Sequence, residues 1–187
     1  MTIAQPRIEP GTMGVTDALP VSARSLARGL AVIRILIGLT FFSNGLAKLF
    51  DFHRVAIGPL VGNLINRGDS RFILNAEVNA NARHLLPLLG RITNDLILPN
   101  YAAFGWAVTF VELAAGFLLV MGFAPRVGAL LALGPATFLF FVYLSNDRWL
   151  PEQPLELVPL ILLAIVPSGY AWGIDGRLGR LPRRWPF

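Results

Sequence analysis

Two strongly apolar stretches of the sequence carry ionisable side chains. Residues 34–48, RILIGLTFFSNGLAK, begin with Arg34 and end with Lys48. A second apolar stretch, residues 101–123, contains Glu112. A charged side chain inside a membrane is costly, and such residues usually pair with one another or serve a function. Opposite charges on two apolar stretches therefore favour a buried ion pair that could orient a polar ligand or relay a proton.

Glycine recurs with these charges at helical spacing. In the first stretch one helix face would carry Arg34, Gly38, Phe41, Gly45 and Lys48. In the second stretch one face would carry Gly105, Thr109, Glu112 and Gly116. Small residues let two helices in a membrane approach closely. We therefore predict that Gly38, Gly45 and Gly116 are helix-packing positions.

The spacing leads us to predict that Arg34 pairs with Glu112. If the two helices end at the same level, their backbones at these residues differ in height by roughly 7 Å, within the reach of an arginine side chain. Asn44 and Thr109 could add hydrogen bonds, and Lys48 could extend to the outer interface. Such a pair would either fix helix register alone or line a site for a polar head group or a proton path. The sequence leaves both interpretations open.

The composition is that of a membrane protein. Of the 187 residues, 55% are hydrophobic and only 14% are charged, which is little charge for the surface of a soluble domain. Apolar runs recur at lengths that can cross a hydrocarbon layer of about 30 Å. The chain has no cysteine, which excludes disulfides, iron–sulfur clusters and covalently bound c-type haem. His53 and His84 lie outside the apolar runs, so we expect no metal site and no covalently bound cofactor.

The net charge of +5 does not predict nucleic-acid binding. Every basic residue except Lys48 is an arginine, and most of them flank apolar runs. That distribution is typical of membrane proteins, whose cytoplasmic flanks are basic. Arginines precede the first span, occupy the turn at Arg126 and crowd the end of the chain. We therefore predict a multi-pass protein of the plasma membrane with both termini in the cytoplasm.

The predicted fold is an all-α, four-helix transmembrane bundle. The expected spans are residues 28–50, 101–123, 127–144 and 155–172. A flexible tail, residues 1–23, precedes a membrane domain at residues 24–176, and a basic tail follows at residues 177–187. In the connection at residues 51–100, apolar residues recur at helical spacing around 60–65 and 85–96. These runs are too short to span, so we predict short interfacial helices there.

Three segments resemble the DoxX/DoxD-like family of small four-span membrane proteins. RILIGLTFFSNGLAKLFDF resembles the first span of that family, VELAAGFLLVMGFAPRVGALL its second span and following turn, and SGYAWGIDGRL its C-terminal ending. The residues that carry the resemblance are Arg34, Gly38, Gly45, Lys48, Glu112, Gly116, Gly122, Trp172 and Asp175. The family takes its name from the membrane subunit of a thiosulfate:quinone oxidoreductase. The resemblance implies that this chain is at most a membrane subunit of a quinone-linked oxidoreductase.

Two functions follow from the charges and the resemblance. In the first, the chain seats a quinone head group near Arg34, Glu112 and Lys48, or anchors a catalytic redox partner in the bilayer. Arg34 would donate to a quinone carbonyl, and Glu112 would orient Arg34 or relay a proton. In the alternative, the chain is a non-catalytic membrane scaffold or a small-molecule carrier. Either function is compatible with a homo-oligomer.

Overall fold

The computed structural model of the protein describes residues 21–80, 87–144, 146 and 152–179, which are mostly helical. The helices are α1 (Val21–Phe50), α2 (Arg67–Asn79), α3 (Pro87–Arg91), α4 (Tyr101–Met121), α5 (Pro125–Tyr143), α6 (Glu152–Ile165) and α7 (Ile174–Arg177). A π-helical segment, Ile92–Ile97, continues α3. Two short strands, β1 (Arg54–Ile57) and β2 (Leu60–Asn63), form an antiparallel hairpin.

In the part of the chain that the structure describes, three helices are long and apolar enough to cross a membrane. They are the segment Ala23–Phe50 of α1, the whole of α4 and the whole of α5. Their length and composition agree with the predicted membrane-protein class. Helix α6 has 14 residues, about 21 Å at the usual rise, which is less than the thickness of the hydrocarbon layer. It ends well before the predicted boundary at residue 172, because Pro167 disfavours helical backbone at the residue before it.

Helices α1, α4, α5 and α6 pack around a common core. Its buried residues are Ala115, Ala132, Ala136 and Leu160, with Ile37 and Phe41 of α1 packed against them. A second layer comprises Leu119, Ala129 and Leu163, again with Ile37. Helix α5 contributes alanines to both layers, so α4 and α6 can both lie close to its backbone. Helices α1, α4, α5 and α6 therefore pack as one bundle.

Glycine sets the distance between α1 and α4. The close contacts are Gly38 with Val120, Gly45 with Leu113, and Gly116 with Phe42. A Cβ atom built on Gly38 would lie 2.8 Å from the Val120 backbone nitrogen, and one built on Gly116 would overlap the backbone of Phe42. The two helices are therefore antiparallel and in backbone contact at three levels.

We expect Gly116→Ala to destabilise the bundle by about 1–3 kcal/mol, because the added methyl group forces α1 away from α4. Gly29→Ala is the matched control. Gly29 also lies in a helix, but a Cβ atom there would meet nothing within 4 Å. That control should be neutral or slightly stabilising, since alanine favours helix more than glycine does. Thermal unfolding in mild detergent measures both, and equal midpoints would contradict the backbone contact.

Helices α1 and α4 are offset along their common axis. Because Gly45 lies opposite Leu113, α1 ends near the level of residue 108, and the first two turns of α4 extend beyond it. Helix α2 packs on that extension, where the hydroxyl oxygens of Ser70 and Tyr101 lie 2.5 Å apart. The apolar cluster there comprises Leu74, Val78 and Val142, with Leu89, Tyr101 and Phe138 packed against it. The connection between α1 and α4 therefore completes one end of the bundle.

The predicted helix around residues 60–65 is wrong, because this segment contains strand β2. Ile57 pairs with Leu60 across a two-residue turn. Gly58 has a φ of +60°, the conformation that tight hairpin turns require, and Pro59 follows it with a fixed negative φ. The helical spacing after the turn is coincidental in a run this short. The second predicted region, residues 85–96, is helical where the structure describes it.

The predicted tails lie largely outside the described residues. Residues 1–20 and 180–187 lie outside the described residues. The sequence predicts a tail that includes residues 21–23, and that part of the prediction is wrong because these residues begin α1. Helix α1 therefore begins further from Arg34 than the predicted first span does.

Candidate functional site

Lys48 and Glu112 form a buried ion pair. Lys48 Nζ lies 2.9 Å from Glu112 Oε2, and the two side chains are 4% and 13% exposed. Lys48 is in the last turn of α1, and Glu112 is in the middle of α4. The pair is flanked by the close helix contact at Gly45. Two full charges are therefore held together between apolar helices.

The predicted pairing of Arg34 with Glu112 is wrong. The prediction placed the ends of the first two spans at one level, but α1 begins at Val21 and runs past the end of α4. Arg34 lies beside Gly122, the residue that caps α4. Glu112 precedes Gly122 by ten residues, about 15 Å along the helix. Lys48, from the opposite end of the same face of α1, meets Glu112 instead.

Arg34 binds the loop that follows α6. Its side chain is fully buried. Arg34 Nη1 donates to the carbonyl oxygen of Ser168 at 2.5 Å, and Nη2 donates to the carbonyl oxygen of Trp172 at 3.2 Å. The carboxylate of Asp175 attracts the guanidinium electrostatically. Arg34 therefore joins α1 to the C-terminal part of the described chain, and we call residues 166–173 the closing loop.

Two glycines make room for the Arg34 guanidinium. Gly122 ends α4 with a φ of +61°, which glycine adopts without the penalty that other residues incur. A Cβ atom on Gly122 would lie 2.5 Å from Arg34 Nη1, and one on Gly173 would lie 2.9 Å from the same atom. The arginine, the turn after α4 and the closing loop therefore pack as one unit.

Asp175 binds the turn after α4, which also contacts Arg34. It is fully buried, and its Oδ2 accepts a hydrogen bond from the Ala124 backbone nitrogen at 3.0 Å. The Asp175 backbone nitrogen donates to the Gly122 carbonyl oxygen at 3.2 Å. Ala124 and Trp172 have φ angles of 44° and 54°, and non-glycine residues in that region persist only where surrounding contacts hold them. Arg34 and Asp175 supply those contacts.

The structure gives Asn44 and Thr109 other partners than the ion pair. Asn44 Oδ1 accepts from the Ile65 backbone nitrogen at 3.2 Å, which ties α1 to the segment before α2. The buried Thr109 hydroxyl donates to the Gly105 carbonyl oxygen at 2.7 Å within its own helix. Neither contact involves Arg34 or a charged group of the pair. A binding role for Asn44 and Thr109 stays a prediction.

The sequence analysis missed Tyr101 and Ser70. The Tyr101 ring packs against Gly105, so that a Cβ atom there would lie 3.1 Å from the ring, and the negative charge of Glu112 acts on the Tyr101 phenol. Tyr101 continues the face of α4 that carries Gly105, Thr109 and Glu112, so extending that face by one turn would have found it. No sequence pattern pointed to Ser70, because its partner Tyr101 lies in a separate helix.

Within the described ranges, His, Asp and Glu side chains form no group of three or more that could hold a metal ion. Comparison with models of protein families, with curated proteins and with solved structures finds no match. The function of this chain therefore has to be inferred from its own geometry.

Proposed function

We propose that this chain is a DoxX-like membrane subunit associated with quinone-linked redox chemistry, and that Lys48 and Glu112 seat the quinone head group. The supporting observation is the ion pair itself, held at 2.9 Å with little solvent exposure. Intramembrane charges tend to mark substrate or proton pathways. A redox partner subunit would deliver the electrons, and this chain would hold the quinone in the bilayer.

The chemistry of the pair suits a quinone carbonyl. A lysine ammonium has three donors and no acceptor, so Lys48 can bind Glu112 and still donate to a ligand oxygen. Reduction of a quinone adds electrons and protons at its carbonyl oxygens, and Glu112 can relay protons through Lys48. Burial strengthens the Lys48–Glu112 ion pair and the hydrogen bond from Lys48 to the ligand oxygen, because the effective dielectric between the helices is low.

Arg34 has a different role in this proposal from the one predicted. Two of its donor nitrogens are committed to the carbonyl oxygens of the closing loop. We therefore assign it to positioning that loop. This same observation favours the second candidate function, a non-catalytic membrane scaffold or small-molecule carrier, because two donors of a buried charge bind backbone oxygens of this chain.

The double variant Lys48→Met, Glu112→Leu tests the proposal. Removing both charges together avoids leaving one of them buried alone, so the variant should fold and insert. We expect the quinone that co-purifies in mild detergent to fall about tenfold or more, which corresponds to losing a hydrogen bond to a charged group. Arg28→Gln, an exposed change on α1, is the control. A folded double variant with undiminished quinone and undiminished partner activity would support the scaffold instead.

The proposal includes α6 as a fourth span. Leu160 packs beside Ala132 and Ala136, and Leu163 packs with Ala129, so α6 runs antiparallel along most of α5. The closing loop follows Ile165 directly and reaches Arg34. Four spans would place both termini in the cytoplasm, as the basic flanks suggest. The short helices of the connection would then lie at the outer interface of the plasma membrane.

Cysteine labelling tests this topology, because the native chain has no cysteine. Asn79 and Arg177 are both exposed and lie towards opposite ends of the bundle. On intact cells, a membrane-impermeant thiol reagent should label Asn79→Cys and leave Arg177→Cys unlabelled. Permeabilised cells provide the control, in which both positions should react. Labelling of position 177 alone in intact cells would reverse the orientation.

A further inference from the structure

Several hydrogen-bond donors near the closing loop have no acceptor among the described residues. They are Arg34 Nε, Arg126 Nε, the Ser168 hydroxyl and the Tyr170 hydroxyl, and each of these donor atoms is buried. Ser168 as a residue is only 3% exposed. A buried polar group without a partner is costly, so a native structure rarely keeps several of them together. Donors of this kind suit a bound group that supplies acceptors.

The fold brings these donors to one end of the bundle. Ser168 and Tyr170 belong to the closing loop, and Arg126 is in the first turn of α5. Asp175 connects the two segments, because it binds the Ala124 backbone. Burial and the Asp175 carboxylate raise the pKa of the Tyr170 phenol, whereas Arg126 acts in the opposite direction. The phenol therefore stays protonated at neutral pH and remains a donor.

At this end of the bundle the described residues include three arginines, Arg34, Arg126 and Arg177, and the carboxylate of Asp175. Asp175, the acidic group within this cluster, already binds the Ala124 backbone and interacts with Arg34. An anion would satisfy Arg126 and Tyr170 and neutralise the excess positive charge of these described residues.

We propose that Arg126 and Tyr170, together with Ser168, bind a phosphate group, either that of an anionic phospholipid head group or free phosphate. Arginine and tyrosine suit phosphate oxygens, since both donate and the guanidinium also carries charge. The cluster lies where α4 and α5, two helices able to cross a membrane, meet in a turn. The adjacent Trp172 is 62% exposed, as tryptophans at the lipid head-group level often are. This site is distinct from the Lys48–Glu112 pair, because Glu112 lies near the middle of α4 and the phosphate site lies at its C-terminal end.

Thermal unfolding of the purified full chain tests the site with three probes. Detergent micelles are doped with phosphatidylglycerol or phosphatidylcholine, and inorganic phosphate is added to undoped micelles. We expect phosphatidylglycerol to raise the unfolding midpoint and phosphatidylcholine to have little effect. An equal, Arg126-dependent rise with inorganic phosphate would identify free phosphate as the ligand, whereas a rise with the lipid alone would identify the head group.

Variants determine whether the effect comes from this site. Arg126→Gln should weaken the apparent affinity for the phosphate probe about tenfold, as expected for losing a hydrogen bond to a charged group. Tyr170→Phe removes a single hydroxyl and should weaken it several-fold while leaving packing intact. Arg28→Gln, an exposed arginine on α1, should have little effect.

Native mass spectrometry of the same proteins counts bound phospholipids, so a variant with altered stability is still informative. We expect the unchanged protein to retain phosphatidylglycerol, and Arg126→Gln and Tyr170→Phe to lose it. An equal response in Arg126→Gln, Tyr170→Phe and Arg28→Gln would mean that the lipid acts by general charge attraction and would overturn the proposal. The absence of any effect from phosphatidylglycerol and from inorganic phosphate would overturn it as well.

Discussion

Arg34→Met is expected to free the closing loop and to lower the free energy of unfolding by about 3–5 kcal/mol, as for other buried charges whose partner is removed. The change leaves the carbonyl oxygens of Ser168 and Trp172 without their donors and leaves Asp175 buried without the cation that attracts it. Thermal unfolding in detergent measures the loss. Limited proteolysis should also show new cleavage between residues 166 and 179.

Two further variants show whether the loss of stability comes from the two hydrogen bonds that the planar Arg34 guanidinium donates. Arg34→Lys keeps the charge but cannot direct two donors from one planar group, so it should recover only a small part of the stability. Arg28→Met removes an exposed arginine from the same helix and should have little effect. If Arg34→Met unfolds at the same temperature as the unchanged protein and resists proteolysis, the contacts to Ser168 and Trp172 contribute nothing measurable.

Lys48 and Glu112 should prove strongly coupled in stability. Each single variant, Lys48→Met or Glu112→Leu, leaves the other charge alone between apolar helices and should cost about 3–5 kcal/mol. The double variant removes both charges and should recover most of that loss. The coupling energy follows from a double-mutant cycle measured by unfolding in detergent.

The pair Arg34 and Glu112, which the sequence predicts to interact, is the internal control for this cycle. Arg34 and Glu112 lie about 15 Å apart along the helix axis and share no partner among the described residues, so their single losses should add. Additive losses for Lys48 and Glu112, with coupled losses for Arg34 and Glu112, would require a different register between α1 and α4.

Much of the bundle could be predicted from the sequence, because hydrophobic length and glycine spacing are local properties. The apolar runs that become α1, α4 and α5 are visible directly. The partners of the buried charges could not be predicted, because they depend on how far α1 extends past α4. The partners of Arg34 could not be predicted for a further reason. They are backbone carbonyl oxygens of the loop that follows α6, and every residue type has such an oxygen.

The hairpin shows a different limit. Leu60, Val61 and Leu64 fit helical spacing, but a short apolar run fits a strand equally well. The deciding signal was the Gly58-Pro59 turn, which is a strong indication of a change in chain direction. Giving that turn more weight would have predicted β1 and β2.

The contact between Arg34 and the closing loop also bears on how the protein is made. Arg34 and Ser168 are separated by 134 positions, so a ribosome delivers α1 to the insertion machinery long before the acceptors of its arginine exist. Until translation passes residue 172, the guanidinium is an unsatisfied charge near one end of the first span, which is unfavourable in lipid. We expect truncated chains to retain this defect and to be preferred targets of membrane proteases. One early arginine thereby makes the stability of the nascent protein depend on completion of its last helices.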